Sequence, residues 1–253
     1  MGHAIITGSA GGIGASVRRR LEEQGFSVTG IDLNGQEISA DLSRKDGRDF
    51  AIKKALGYSD GKIDRMVLAA GLGGHLEDGA LVARVNYFGA VELLDGFKNA
   101  LAKAKGRCVV IGSNSAQLRT NPEAPMVESM LEGDEEKTIE IIGDMHAAMV
   151  YGHSKHALTR AVRRRAAEWG HSGIRLNIIA PGPTETAMLQ GVKDHPTISK
   201  SLDMIPIPQN RFGEVEEISG VIEFMLSDEA SHMHGSVIYV DGGSDAQLRS
   251  DSF

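Results

Sequence analysis

The stretch Ala4-Ile5-Ile6-Thr7-Gly8-Ser9-Ala10-Gly11-Gly12-Ile13-Gly14 decides the fold. Residues 4–7 are short, apolar and β-branched, which suits a buried strand. Glycines at 8, 11, 12 and 14 then break the strand and mark a tight turn. Beyond the turn the apolar spacing becomes helical over residues 13–24, and Gly25 stops it. Such a turn lets backbone approach a diphosphate closely, and the helix start offers unpaired N–H groups and partial positive charge. The pattern is T-G-x-x-x-G-x-G, not G-x-G-x-x-G, because Val17 stands where a third glycine would fall. A plain structural turn is the alternative. Its place directly after the first strand favours a dinucleotide, with Gly8, Ser9, Gly12, Ile13 and Gly14 as candidate contacts.

Moving outward, residues 27–31 form a second strand that ends at Asp32, about twenty residues past the turn. A carboxylate there accepts hydrogen bonds from an adenosine ribose and repels a 2′-phosphate, so NAD is expected rather than NADP. The competing reading is an ordinary strand-end aspartate. A short third strand over 37–40 precedes Asp41 and Leu42, placed to flank an adenine. Further strands are expected at 66–70, 107–111, 175–179 and 236–240, with helices at 44–56, 78–104 (two of them), 151–169 and 215–226. Strands separated by long helical segments predict one doubly wound, parallel, Rossmann-like sheet covered on both faces. All 253 residues read as one domain without repeat or linker. Two segments break the rhythm. Residues 114–150 contain Asn121-Pro122-Glu123-Ala124-Pro125 and an acidic run at 134–136, and residues 183–212 are rich in proline and polar residues. The second reads as a substrate loop. The first is either a functional lid or a helical decoration or subunit contact.

Tyr151 and Lys155 are four apart in the long helical pattern, so they share a face. A nearby ammonium, the positive helix start and a nicotinamide cation all favour the phenolate of a tyrosine whose ordinary pKa is about 10. Tyr151 then exchanges a proton with an alcohol or carbonyl oxygen. Lys155 is also placed to bond the nicotinamide ribose. The alternative is a surface neighbour pair. Ser113 follows the strand over 107–111, at the sheet edge where open parallel sheets build sites, and its hydroxyl suits a developing negative charge. Ser115 competes for that role. Asn86 lies in a helical pattern, where asparagine is unfavourable without a further reason.

Composition narrows the class. Hydrophobic residues make up 41% of the chain, enough for a core, and 34 acidic against 27 basic residues give a net charge of −7. That balance argues against nucleic acid or anionic membrane as the main partner. No apolar run approaches the ~20 residues of a spanning helix, no leader is evident, and Cys108 is the single cysteine, so a cytoplasmic location is expected. Arg160, Arg163, Arg164 and Arg165 read as a solvated face or subunit contact. His153, His232 and His234 lack metal-ligand spacing, so no metal is expected.

Together these residues resemble the short-chain dehydrogenase/reductase family. The resemblance is carried by Thr7-Gly8…Gly12-Ile13-Gly14, Asp32, Ala69-Ala70-Gly71, Asn86, Ser113, Tyr151…Lys155, Pro181-Gly182…Thr186 and Val240-Asp241-Gly242-Gly243. It implies an Asn-Ser-Tyr-Lys tetrad, with Asn86 holding a water that links the lysine to solvent. It also implies cofactor contacts from Ala70, Gly71, Pro181, Gly182, Thr184 and Thr186. Ala69-Ala70-Gly71 departs from the usual Asn-Asn-Ala-Gly of the family. Residues 86–90, 164–170 and 179–182, with the long segment before Tyr151, are similar to bacterial members acting on hydroxysteroids and varied ketones. The implied activity is NAD(H)-dependent interconversion of a secondary alcohol and a ketone. The alternatives are a dehydrogenase for a small non-steroid alcohol and a catalytically silent dinucleotide sensor or scaffold. The long segment before Tyr151 obstructs the four-helix contact of family tetramers, so a homodimer is expected.

Overall fold

Alternation along the first strand sets the layers. In β1 (His3–Thr7), Ala4 and Ile6 face one layer and Ile5 the other, and all three are fully buried. The computed structural model describes residues 2–118 and 124–252. Helix α1 (Gly12–Glu23) follows, and Gly25, at φ +84, ends it while Phe26 N–H bonds the Leu21 carbonyl. Then come β2 (Ser27–Asp32), β3 (Ile38–Ser39), α2 (Lys45–Tyr58), β4 (Arg65–Leu68) and α3 (Gly79–Ala83). Residues Arg84–Gly89 are wound as a π-helix that runs straight into α4 (Ala90–Ala104). After β5 (Arg107–Ile111) lie α5 (Ser115–Leu118), α6 (Pro125–Glu132), α7 (Glu135–Ile142) and the 25-residue α8 (Ala147–His171). The chain closes with β6 (Arg175–Pro181), α9 (Ala187–Asp194), a 3₁₀ turn (Ile198–Ser201), α10 (Val215–Leu226), β7 (Val237–Val240) and α11 (Ser244–Leu248).

The seven strands form one parallel sheet in the order β3-β2-β1-β4-β5-β6-β7. One face, with Ile5, Met66, Cys108 and Leu176, packs on α2, α4 and α8. The other, with Ala4, Ile6, Val67 and Val109, packs on α1 and α10. The doubly wound expectation holds. Strand order reverses at β1 and β4, which opens a crevice at their carboxyl ends.

Several sequence expectations shift. The two helices expected over 78–104 are one helical run with a π segment inside it. The helix expected from Tyr151 begins at Ala147, because the His146 ring accepts the Ala148 N–H (3.1 Å) and caps it. Tyr151 therefore sits in the second turn, where the field of a helix start has largely decayed. The segment 114–150 is mainly helical. Pro125 opens α6, Asp134 caps α7 by accepting the Lys137 N–H, and residues 121–123 of the proline-containing stretch lie outside the described residues. These helices are fastened to the body by charge. Fully buried Arg48 on α2 meets Glu135 of α7 at 2.6 Å and Glu92 of α4 at 3.1 Å. Arg160 on α8 pairs with Glu128 of α6, and Arg165 with Asp95 of α4. The arginine cluster thus contributes to internal clasps between helices.

Candidate active site

The glycine turn is shaped by contact with its own chain. A Cβ at Gly14 would lie 2.1 Å from the Gly8 carbonyl oxygen. Gly8, at φ +67, approaches the backbone of Ala70 so closely that a Cβ there would lie 2.7 Å from its nitrogen. Only glycines let these segments meet. No side chain caps α1, and a Cβ at Gly11 would meet only open space, so the start of the helix is left to a ligand. Asp32 steadies the turn, its carboxylate accepting the N–H groups of Ala10 (2.9 Å) and Leu33 (2.7 Å). Those bonds leave it further lone pairs for a ribose.

A cleft of about 1070 Å³ runs from this turn along the carboxyl ends of the strands. That exceeds the roughly 300–1,000 Å³ usual for one small ligand. It is lined by Gly8, Gly12, Ile13, Gly14, Asp32, Asp41, Leu42, Ala70, Gly71, Ser113, Tyr151, Lys155, Pro181, Gly182, Thr184 and Thr186. Two of the expected residues are absent from its wall. Ser9 is buried and its hydroxyl donates to Gln36 (3.0 Å). Asn86, on the π segment, accepts the Leu72 N–H at 2.7 Å and donates to the Leu72 carbonyl at 3.0 Å. Asn86 thereby clamps the loop after β4 from behind. A Cβ at Gly71 would be 3.3 Å from Asn86 Oδ1 and 3.6 Å from Lys155 Nζ, so both groups converge on that loop.

Ser113, Tyr151 and Lys155 meet at the centre of the cleft. Ser113 lies beside Tyr151 in the cleft, and its hydroxyl favours the phenolate. Ser113 Oγ lies 2.8 Å from Ser115 Oγ and accepts the Ser115 N–H at 3.2 Å. Lys155 Nζ donates to the Ile111 carbonyl at 2.8 Å. Burial pushes the Tyr151 phenol up, with the Ser113 hydroxyl opposing it, and pushes the Lys155 ammonium down to about 8. The protein alone therefore does not favour phenolate. Desolvation, which leaves no mark in the sequence, reverses the expected shift.

The cleft's other half is apolar and was missed from sequence. Leu72, Leu81, Val85 and Met149 line it, together with Met188 and Leu189 of α9. Apolar residues at 188, 189 and 192 fit a helix face, a signal obscured by the polar, proline-rich flanks. Of the unplaced histidines, His234 is structural: its Nδ1 accepts the Leu176 N–H (3.0 Å) while Nε2 donates to the Ala166 carbonyl (2.7 Å). Cys108 is buried in the sheet and its thiol is pushed up, which removes nucleophilic character.

Comparison with known proteins agrees with this geometry. A family model described as "NAD dependent epimerase/dehydratase family" matches residues 4–191, and one described as "Enoyl-(Acyl carrier protein) reductase" matches 139–245. A 3-alpha-hydroxysteroid dehydrogenase/carbonyl reductase of Comamonas testosteroni is 41% identical, over 98% of both chains. The chain belongs to the short-chain dehydrogenase/reductase family. A coniferyl-alcohol dehydrogenase of Pseudomonas sp. is a family relative at 31% identity, over 94% of each chain. The crystal structure of the 3-alpha-hydroxysteroid dehydrogenase from Pseudomonas sp. B-0831, complexed with NADH, superposes with a TM-score of 0.96 at 40% identity, over 99% of this chain and 100% of that one. No helix among the described residues is long and apolar enough to cross a membrane.

Proposed function

We propose that this chain is an NAD(H)-dependent oxidoreductase that interconverts secondary alcohols and ketones, with 3α-hydroxysteroids, and ketones on rigid apolar frames, as its substrate class. One observation carries the reading: the Ser113-Tyr151-Lys155 group opens into a single cleft that joins an uncapped glycine turn to an apolar chamber. The names of the relatives, and the NADH in one of their structures, support the same substrate class and cofactor.

The cofactor's part is hydride exchange with the substrate carbon. Gly8, Gly12, Ile13 and Gly14 would cradle its diphosphate, and Asp32 its adenosine ribose, with Asp41 and Leu42 beside the adenine. Ala70, Gly71, Pro181, Gly182, Thr184 and Thr186 would flank the nicotinamide half, with Lys155 on its ribose. The proton is the protein's task. During reduction Ser113 donates a hydrogen bond to the ketone oxygen and Tyr151 delivers its phenolic proton there, leaving an alcohol and a phenolate. Lys155, held near neutrality at about 8, returns a proton to the tyrosine. Asn86 keeps an unused N–H and lone pair after bonding Leu72, enough to hold the water that reconnects the lysine to solvent. Oxidation runs the same transfers backward.

The chain works in the cytoplasm as a homodimer on this reading. Helix α6 packs on α8, and α7 on α6, covering a face that a four-helix contact would need. A tetramer mass in sedimentation equilibrium overturns that assembly. The activity is tested with purified wild type and Tyr151→Phe, NADH and a panel of ketones. Loss of the phenolic acid is expected to lower kcat by about 10²–10⁴-fold. NADH binding should persist. Equal turnover by the two proteins removes Tyr151 from the chemistry. Failure of wild type on every fused-ring ketone, with smaller ketones reduced, removes the steroid class alone.

A further inference from the structure

The loop that Asn86 clamps continues into Gly73-Gly74-His75, wedged between the helix of Tyr151 and α9. A Cβ at Gly74 would lie 2.8 Å from Ala148 Cα and 3.3 Å from Tyr151 Cβ, so this loop already touches the catalytic helix. The His75 imidazole then fills a slot with glycine on both sides. A Cβ at Gly73 would meet His75 Nδ1 at 2.6 Å, and a Cβ at Gly191, on α9, would meet His75 Nε2 at 2.5 Å. The three nearest atoms to that Gly191 position all belong to His75. His75 Nδ1 is buried and has no hydrogen-bond partner. Shape therefore holds the ring in its slot, since a hydrogen-bonding role would have supplied that nitrogen with a partner.

Helix α9 carries Met188, Leu189 and Val192 into the cleft, so its distance from the β4 loop sets the width of the apolar chamber. It rests on the body at its amino end, where Thr186 Cγ2 lies 3.5 Å from the position of a Gly12 Cβ. Its middle rests on His75. We propose that His75 is a specificity-determining positioning residue: its ring is the spacer that fixes α9 over the substrate chamber and selects for a bulky, rigid ketone or alcohol. The inference rests on the oxidoreductase reading and deepens it, because it names the element that sets chamber width.

The test compares wild type with His75→Ala, His75→Phe, Gly191→Ala and the double variant His75→Ala/Gly191→Ala. Each is assayed with NADH against a fused-ring ketone and a single-ring ketone. Removing the spacer in His75→Ala should raise KM for the fused-ring ketone about 10-fold. The single-ring ketone, kcat and NADH affinity should change little. A flat ring without nitrogens, in His75→Phe, should keep the wild-type selectivity. Gly191→Ala pushes α9 off the ring and should lose selectivity by itself. Adding His75→Ala makes room for the new methyl, so the double variant should recover part of it, a non-additivity expected only of residues in contact. Additive losses, or a Phe variant as poor as Ala, overturn the spacer role. So does a His75→Ala protein whose two ketones decline in parallel through kcat. Wild type inactive on every ketone refutes the oxidoreductase reading instead, so the two failures are distinguishable.

Discussion

Lys155 gives the sharpest quantitative test, because its proposed function conflicts with stability. Its ammonium is buried in the cleft and its pKa falls from the ordinary 10.5 to about 8, by desolvation. Below pH 8 folded and unfolded chains both hold the proton, and the folded state bears the full cost of burying it. Between about 8 and 10.5 the folded protein has released its proton while the unfolded chain retains it. The unfolded state then binds more protons, so raising the pH favours folding. From pH 7 to pH 10 this one group should contribute a gain of about 2.5 kcal/mol, at about 1.4 kcal/mol per pKa unit. The perturbation is Lys155→Met, which fills similar space without a charge. Urea unfolding of both proteins, without cofactor, at half-unit steps from pH 7 to 10 isolates the term, since every other titrating group cancels in the difference. Wild type should gain on the variant steadily across that range. A flat difference, or one that favours the variant increasingly as pH rises, refutes the claim that burial of this ammonium is costly.

The remaining two predictions concern the cofactor's ribose and the helical insertion. Asp32→Asn keeps an acceptor for the Ala10 N–H and removes the charge, so NADPH affinity by fluorescence titration should rise about tenfold relative to NADH. An unchanged NADPH-to-NADH ratio would show that this carboxylate does not set cofactor choice. Glu135→Gln leaves the fully buried guanidinium of Arg48 with Glu92 as its acidic partner among the described residues. Unfolding in urea should report a loss of about 3 kcal/mol, the scale for breaking a buried pair. A loss near zero would mean that α7 is held on by apolar packing alone.

What could be read from the chain was whatever depends on neighbours in sequence. The glycines of the turn at 8, 12 and 14, Asp32 at a strand end, and the four-residue spacing of Tyr151 and Lys155 are local patterns, and each lands in the cleft. What escaped depends on partners far along the chain or on local geometry without a familiar sequence signal. Ser9 looked like a phosphate contact, but its hydroxyl is taken by Gln36, 27 residues away. Asn86 sits on a π segment, and the addition of one residue to a helical turn leaves no periodic trace strong enough to read. The start of α8 was missed because its cap is His146, not one of the usual Ser, Thr, Asp or Asn. His75 carries no local signal at all, since its slot exists only where Gly73 and Gly191 meet around it.

The two shifts in the cleft together fix which form of each group the protein itself supplies. Desolvation opposes charge on both: it raises the phenol of Tyr151 and lowers the ammonium of Lys155. At neutral pH the tyrosine is therefore a protonated acid, and the lysine, at about 8, still carries most of its proton. In the roles proposed for them, both are loaded to donate, which is what carbonyl reduction requires at the substrate oxygen. Alcohol oxidation needs the opposite loading, a phenolate able to accept, and burial works against it. The Ser113 hydroxyl favours the phenolate but acts against the larger effect of desolvation. At fixed pH, a further push toward the base would come from positive charge brought in beside the tyrosine, which the nicotinamide of oxidised NAD carries and that of NADH does not. The direction of the reaction is thus coupled to proton loading: the site alone is set as an acid, and becomes a base when an external cation or a higher pH alters that balance.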